Sequence, residues 1–461
     1  MTRSSGMTTI LVALIASLAL FVLAVIYGSS TSFPTLDAIA YDNLPPNPFN
    51  DFLATAQVSD ENKNKSFTVP ETSYPVIGYA ISITQCDASK YGHDQAAILF
   101  YSIHKNSIRD PSSGSKYDYK LYAFVHPDAA ACADGLKTIG YEVSIRKSPV
   151  EKSEIKGNLI NYVDKASCCQ EKEFLKLYSY TLVDHKVVVH LDLDCLVVQP
   201  LDDVYDSMID GPTSKARDQL SLQWENSTEN LPVDIEAFFT RDYNLVDPPR
   251  RQPYQIGIQG GFIVVKPNID IFNRYKEIII EGNYTVEGGW GGNVLKYGGY
   301  YGAAQIQGLM SYFFGHIRPG KALELNRCYY NFMGDAPKSK SGACRTLEKE
   351  CQDCRNIDFK EIKTIHFTLC TKPWWCLAAE NHNLHIADAL GGEKPLELCL
   401  ASLTEWFRNR FDLEKMWSLL SADYQLSDEA LNHTKYPRTF GYCRQPGNYI
   451  PMKLPKEMIK L

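Results

Sequence analysis

The chain has 461 residues, 44% of them hydrophobic and 12% aromatic, which is enough for one large or two ordinary domains with a substantial core. Its formal net charge of −7 and pI near 5.9 argue against a nucleic-acid partner, which would favour a basic face. An anionic substrate would have to meet cations placed locally.

Residues 10–27 carry no charged side chain, and this run is close to the roughly 20 apolar residues that span a bilayer. A cleaved signal peptide is the alternative, but its apolar region is usually only about 7–15 residues, which favours an uncleaved anchor. Arg3 and the amino terminus are the only positive charges before the run, which places residues 1–9 as a cytoplasmic tail and the body in a lumen. Residues 28–74 are rich in Ser, Thr, Asn, Asp and Pro without an apolar period and read as a stem. Glycosylation tripeptides begin at Asn64, Asn226, Asn283 and Asn432. Thirteen cysteines permit several disulfides with one left over. Cys344, Cys351, Cys354, Cys370 and Cys376 also have a zinc-like look, but their later spacing is too wide for a usual ribbon and an oxidising lumen favours disulfides.

The globular body opens with a strand over 75–83 and a helical pattern over 95–103. A second strand over 119–125, a helix around 130–140 and a third strand over 141–145 follow. Alternating strands and helices predict a mostly parallel sheet covered on both faces, with ligands at the carboxyl ends of its strands. A helix-like run over 173–180 precedes the stretch 187–198, which reads as one buried strand interrupted by Asp192 and Asp194. Side chains alternate along a strand, so His190, Asp192 and Asp194 are expected on one face and Leu191, Leu193 and Cys195 on the other. Two carboxylates cannot stay ionised in an apolar interior without compensation, and at a strand end they suit a divalent metal. Pro200 then leads into a further helix.

Downstream, 257–267 reads as a strand. The glycine-rich pieces 288–292 and 298–302 lack the flanking strand and helix of a phosphate-binding loop. They read instead as places of close backbone approach, with the rings of Trp290, Tyr300 and Tyr301 available for stacking. The same pieces also read as turns packed on aromatics. Apolar residues at helical spacing over 396–417 predict a helical cap.

The motifs at 174–205, 257–267, 307–309 and 366–374 occur in one order that resembles glycosyltransferase family 8, the glycogenin-like retaining transferases. The resemblance implies a single Rossmann-like α/β nucleotide-sugar transferase domain of the GT-A type over 75–380, with a mixed, mostly parallel sheet and a C-terminal helical extension over 381–461. It implies manganese or another divalent cation on Asp192, Asp194 and His366, and a UDP-sugar held by Lys176, Asp192, Leu193, Gln259 and Lys372. Gln307, Lys372 and Asp192 would act in catalysis. Read alone, His366 is better taken as a core histidine bonded to a carbonyl, a reading that the adjoining Lys372-Pro373-Trp374-Trp375 reverses, and either lysine reads as an ordinary surface one. The chain departs from the family at Ile306, where an Asp is usual, at Gln259-Gly260, where Asn-Ser is usual, and at Leu369, where a Gly is usual. The expectation is a Golgi-membrane, single-pass type II transferase acting on a glycan or glycoprotein acceptor, with no nucleic-acid partner. A catalytically inactive, membrane-tethered glycan-binding member is the alternative.

Overall fold

The computed structural model describes residues 74–86, 92–165, 168–224, 231–245, 255–292, 295–376, 394–419, 439–443 and 447–455. The expected anchor at 10–27, almost all of the stem, and the tripeptides at Asn64, Asn226 and Asn432 lie outside these residues. No helix among the described residues is long and apolar enough to cross a membrane. Asn283 is described and exposed.

The first strand, β1 (Val76–Ile83), pairs in parallel with β2 (Asp118–Val125) along its whole length, from Val76 opposite Asp118 to Ile83 opposite Val125. The chain between them carries helix α1 (Gly92–Lys105), with Asp94 in its first turn and Lys105 in its last, each charge suiting its end of the helix dipole. Helix α2 (Ala133–Ile139) then leads to β3 (Glu142–Ile145), parallel to β2. On the other side of β1 lies β4 (Val188–Leu191), also parallel. Past it runs β7 (Ile258–Val265), antiparallel to β4, then β6 (Ala237–Arg241), and β10 (Ala322–Glu324) at the edge. The order is β10-β6-β7-β4-β1-β2-β3, with β7 the strand that runs against its neighbours. The mixed, mostly parallel sheet expected from the sequence is therefore present. Its central strands β4 and β7 are buried at every residue, as strands covered on both faces must be.

Alternation along β1 separates two cores. Ile77, Tyr79, Ile81 and Ile83 join α1, α2 and the C-terminal helix α7 (Lys394–Met416), whose Trp406, Phe407 and Leu413 are fully buried. Ala80 faces the other core, built from the 3₁₀ helix Gln170–Thr181, α4 (Ile269–Glu281) and α5 (Ile306–Tyr312). The C-terminal helix is thus part of the main core, and further contacts hold it there. Arg410 pairs with Glu414 at 3.0 Å and approaches Asp94 of α1 at 3.7 Å. Tyr449 donates to the same Asp94 carboxylate at 2.7 Å.

Six disulfides join Cys86–Cys132, Cys168–Cys169, Cys328–Cys354, Cys344–Cys351, Cys370–Cys399 and Cys376–Cys443. Cys195 is free and buried. The zinc alternative for the cysteine cluster fails because Cys344 and Cys351 pair with each other while Cys354, Cys370 and Cys376 pair with three other segments.

Candidate active site

The stretch 187–198 is not one strand. Strand β4 ends at Leu191, the Cys195 N–H donates to the Asp192 carbonyl at 3.0 Å to close a turn over Leu193 and Asp194, and β5 (Cys195–Val197) starts a second, two-stranded sheet. The expected alternation of His190, Asp192 and Asp194 on one face is therefore wrong. A strand buried on both sides has no place for two adjacent carboxylates, and the chain turns where the sheet ends. His190 stays behind in β4, 1% exposed, with Nδ1 2.8 Å from Ser179 Oγ and Nε2 3.3 Å from Ser82 Oγ. Burial, and then the charge of Lys176, push its pKa well below the usual imidazole value.

Strand β5 pairs antiparallel with β11 (Thr364–His366), His366 standing opposite Cys195. The Phe367 N–H donates to the Asp194 carbonyl at 2.9 Å and closes that end of the pair. His366 Nε2 lies 3.3 Å from Asp194 Oδ1, and the Lys372 ammonium binds the other carboxylate oxygen. Burial works to raise the Asp194 pKa, but the neighbouring His366 and Lys372 outweigh it and hold the carboxyl well below its usual range.

Asp192 is held from the opposite side. Lys176 Nζ meets Asp192 Oδ1 at 2.8 Å, Glu173 Oε2 at 3.3 Å and the Gly260 carbonyl at 3.0 Å. The segment that reads as helix-like in sequence is a 3₁₀ helix, in which side chains three apart eclipse, so Glu173 and Lys176 stack. Burial disfavours the Lys176 charge, but Asp192 and Glu173 more than restore it and its pKa is raised. Glu173 is itself shifted up, by burial against the pull of Lys176 and with the push of Asp192.

Two glycines of β7 let these groups close over the backbone. A Cβ at Gly261 would lie 2.3 Å from His366 Cε1 and 3.0 Å from both Asp192 Oδ2 and Gln259 Oε1. One at Gly260 would lie 3.3 Å from Gln307 Cγ and 3.4 Å from Lys176 Nζ. Gln259, 5% exposed, turns its carbonyl oxygen back onto the Gly261 N–H. Gln307, half-buried at the start of α5, donates to the Tyr301 carbonyl at 3.3 Å. Asp192, Leu193 and Asp194 line a cleft of about 240 Å³ at the carboxyl ends of β1 and β4, together with Lys176, Ser82 and Thr84.

All eight residues singled out in the sequence thus converge on one region. Sequence reasoning missed Glu173, Ser82, Thr84, Gln95 and the adjacent pair Cys168 and Cys169, all of which line the same cleft. Glu173 had a signal, since it stands three residues before Lys176. Of the three rings proposed for sugar stacking, Trp290 is fully buried with its indole N–H on the Ala303 carbonyl at 2.8 Å, and Tyr300 is 8% exposed. Tyr301 is the exposed member at 49%.

The residues fit a divalent cation. Ligand atoms of Asp194, Cys195 and His366 lie within 4.8 Å of one another, and the buried His366 Nδ1 has no hydrogen-bond partner, an open account that a native site seldom leaves. Cys195 is the least suited of the three, since its thiol is turned to donate to the Gly261 carbonyl at 3.2 Å. The donors left in the grouping are one carboxylate, Asp194, and one imidazole, His366, a pair that suits a borderline-hard ion. Asp192 stands outside the 4.8 Å grouping, its carboxylate turned to Lys176.

No protein-family model matches the chain, and no curated protein matches it. Among solved structures it is similar to apo mouse xyloside xylosyltransferase 1, at 11% identity over 65% of this chain and 99% of that one, TM-score 0.37. It is also similar to the galactosyltransferase LgtC bound to donor and acceptor sugar analogues, at 14% identity over 72% and 99% of the two chains, TM-score 0.32. Glycosyltransferase GlyE of Streptococcus pneumoniae TIGR4 matches at 14% identity over 65% and 56%, TM-score 0.32. At these identities and scores the likeness says nothing of this chain's substrates.

Proposed function

We propose that this chain is a metal-dependent, retaining glycosyltransferase of the GT-A type that moves a sugar from a UDP-sugar to a glycan or glycoprotein. The observation that carries the reading is the meeting of the Asp192–Asp194 turn with His366 and Lys372, brought from distant segments to the carboxyl edge of the sheet, with Gln307 close by at Gly260. Asp192, Asp194 and His366 would hold a divalent ion such as manganese, which supplies positive charge against a diphosphate. Lys372, whose side chain is 21% exposed and pairs with Asp194, is placed to turn its ammonium to the departing diphosphate. Lys176 is 6% exposed and already has three partners, so we assign it to positioning Asp192 rather than to phosphate contact. Gln307 would bond the donor's hydroxyls, as an amide both donates and accepts. It is a poor nucleophile, which favours front-face attack by the acceptor over a stable covalent intermediate.

Six disulfides and an exposed Asn283 support a lumenal body. The anchor, the Golgi location and the domain boundaries remain part of this proposal. A catalytically inactive, glycan-binding member is the second reading. Ile306 favours it, because where the family has an acid this chain packs an isoleucine that is 1% exposed. The intact acid, imidazole and lysine assembly favours the enzyme.

The test is UDP release by the purified protein from a panel of UDP-sugars, with manganese and with chelator. Manganese-dependent release from one donor, lost in Asp194→Asn, is expected. Absence of release from every donor overturns the enzyme reading.

A further inference from the structure

The strap that carries Tyr301 is a built feature. The Tyr300 carbonyl accepts from the Ala303 N–H at 3.1 Å, and the Gly302 carbonyl accepts from Gln305 and Gly308 at 3.1 and 3.4 Å. Gly299 and Gly302 take φ of 78° and 75°, a conformation that side-chain-bearing residues avoid. The neighbouring rings are committed to the interior. Tyr300 packs with Tyr243 and Ile256, and Tyr297 is 2% exposed. Gly257 makes room for Tyr300, since a Cβ there would lie 2.7 Å from the ring.

Tyr301 is thereby forced outward on a rigid turn, and its main chain is tied to the site. Its carbonyl holds the Gln307 amide at 3.3 Å, and a Cβ on the next residue, Gly302, would lie 3.1 Å from that same amide. Its phenol is within electrostatic reach of Glu173, the partner of Lys176. Tyr301 is therefore an exposed ring whose main chain adjoins the Gln307 amide and whose phenol feels the charge of Glu173. An aromatic face carries negative charge density and attracts the weakly positive C–H groups of a sugar's apolar face. A ring held by glycine turns has little conformational entropy left to lose on binding.

We propose that Tyr301 is the platform on which the acceptor stacks, and that the acceptor is a pyranose presenting an apolar C–H face rather than a peptide hydroxyl. This rests on the transferase reading and names the substrate class on its acceptor side. A binding measurement keeps the two separable. Methyl glycosides of galactose, glucose, mannose and xylose are titrated into the full-length protein and followed by ligand-observed NMR, with a Ser/Thr peptide for comparison, and the best binder is then used as acceptor in UDP-sugar turnover. The expected result is binding of at least one glycoside and not of the peptide. Tyr301→Ala should weaken that binding, and raise the acceptor KM, about tenfold or more, while the donor KM moves less than twofold. Tyr301→Phe should retain the parent values, because the ring and not the hydroxyl makes the contact. Binding of no glycoside, preference for the peptide, indifference to Tyr301→Ala, or equal loss in Tyr301→Phe would each overturn the proposal. Absence of UDP release with Tyr301-dependent glycoside binding intact would overturn the transferase reading alone.

Discussion

Each acid of the Asp192–Asp194 turn has its own lysine. From the sequence, two neighbouring carboxylates imply mutual repulsion, so that removing one would cost little. The structure reverses this, because Asp194→Asn would strand the Lys372 ammonium and the buried His366 ring. The expected cost in chelator is about 1–3 kcal/mol of unfolding free energy, together with loss of manganese-dependent UDP binding. A variant as stable as the parent that still binds UDP with manganese would show that Asp194 does neither job. Gln307→Ala tests the amide. It should lower kcat at least about tenfold with little change in UDP affinity, since its bonds matter most in the transition state. Asp242, at the end of β6 and 5% exposed, is a third case. Burial, and then the charge of Asp335, push its carboxyl up to about 6 from an ordinary value of 3.8. Its folded pKa lies above its unfolded one, so the buried charge destabilises the protein above pH ~6, and the penalty is relieved as pH falls through 6 towards 4. Asp242→Asn should therefore stabilise the metal-free protein at pH 7.5, by on the order of 2 kcal/mol, and by about half as much at pH 5. Denaturation curves at the two pH values measure the difference. An equal gain at both would refute the assignment.

At the scale of elements, the β5–β11 pair decides where the site forms. Registered opposite Cys195, His366 arrives beside Asp194 because two short strands match. The loop that follows carries Lys372 and is bracketed by Cys370 and Cys376, bonded respectively to Cys399 of α7 and to Cys443. The C-terminal segment thus holds the lysine in place through covalent bonds. Replacing Cys370 and Cys399 together by serine should lower stability by about 2–4 kcal/mol and raise the donor KM, as the Lys372 loop gains freedom. Urea denaturation and donor kinetics on the same sample read both effects. An unchanged donor KM in a destabilised protein would confine the bond to a structural role.

For the whole molecule, the proposed topology makes its own prediction. The expressed protein should sediment with membranes, resist protease in sealed vesicles and lose mass on endoglycosidase treatment. Substitution of Asn283 by Gln should remove one step of that mass loss. A body digested by external protease and carrying no glycan would overturn the lumenal assignment.

Much of this was legible in the chain itself. Apolar runs and helical periods mark β1, β2, β3, β7, α1 and α7, because burial on two faces or one stripe leaves a local pattern. The ordered segments around Asp192, Gln259, Gln307 and His366 also named the residues that the fold gathers. What the sequence could not show depends on partners far along the chain. The break of the 187–198 run follows from the competition between β7 and β11 for its two halves. The pairing of each acid with a particular lysine, the exposure of Tyr301 beside buried Tyr300 and Trp290, and the mates of the cysteines follow the same rule. Periodicity reports which side of an element is buried, whereas register, ion pairing and exposure at a turn are set by which distant segment arrives there, and tertiary packing alone decides that.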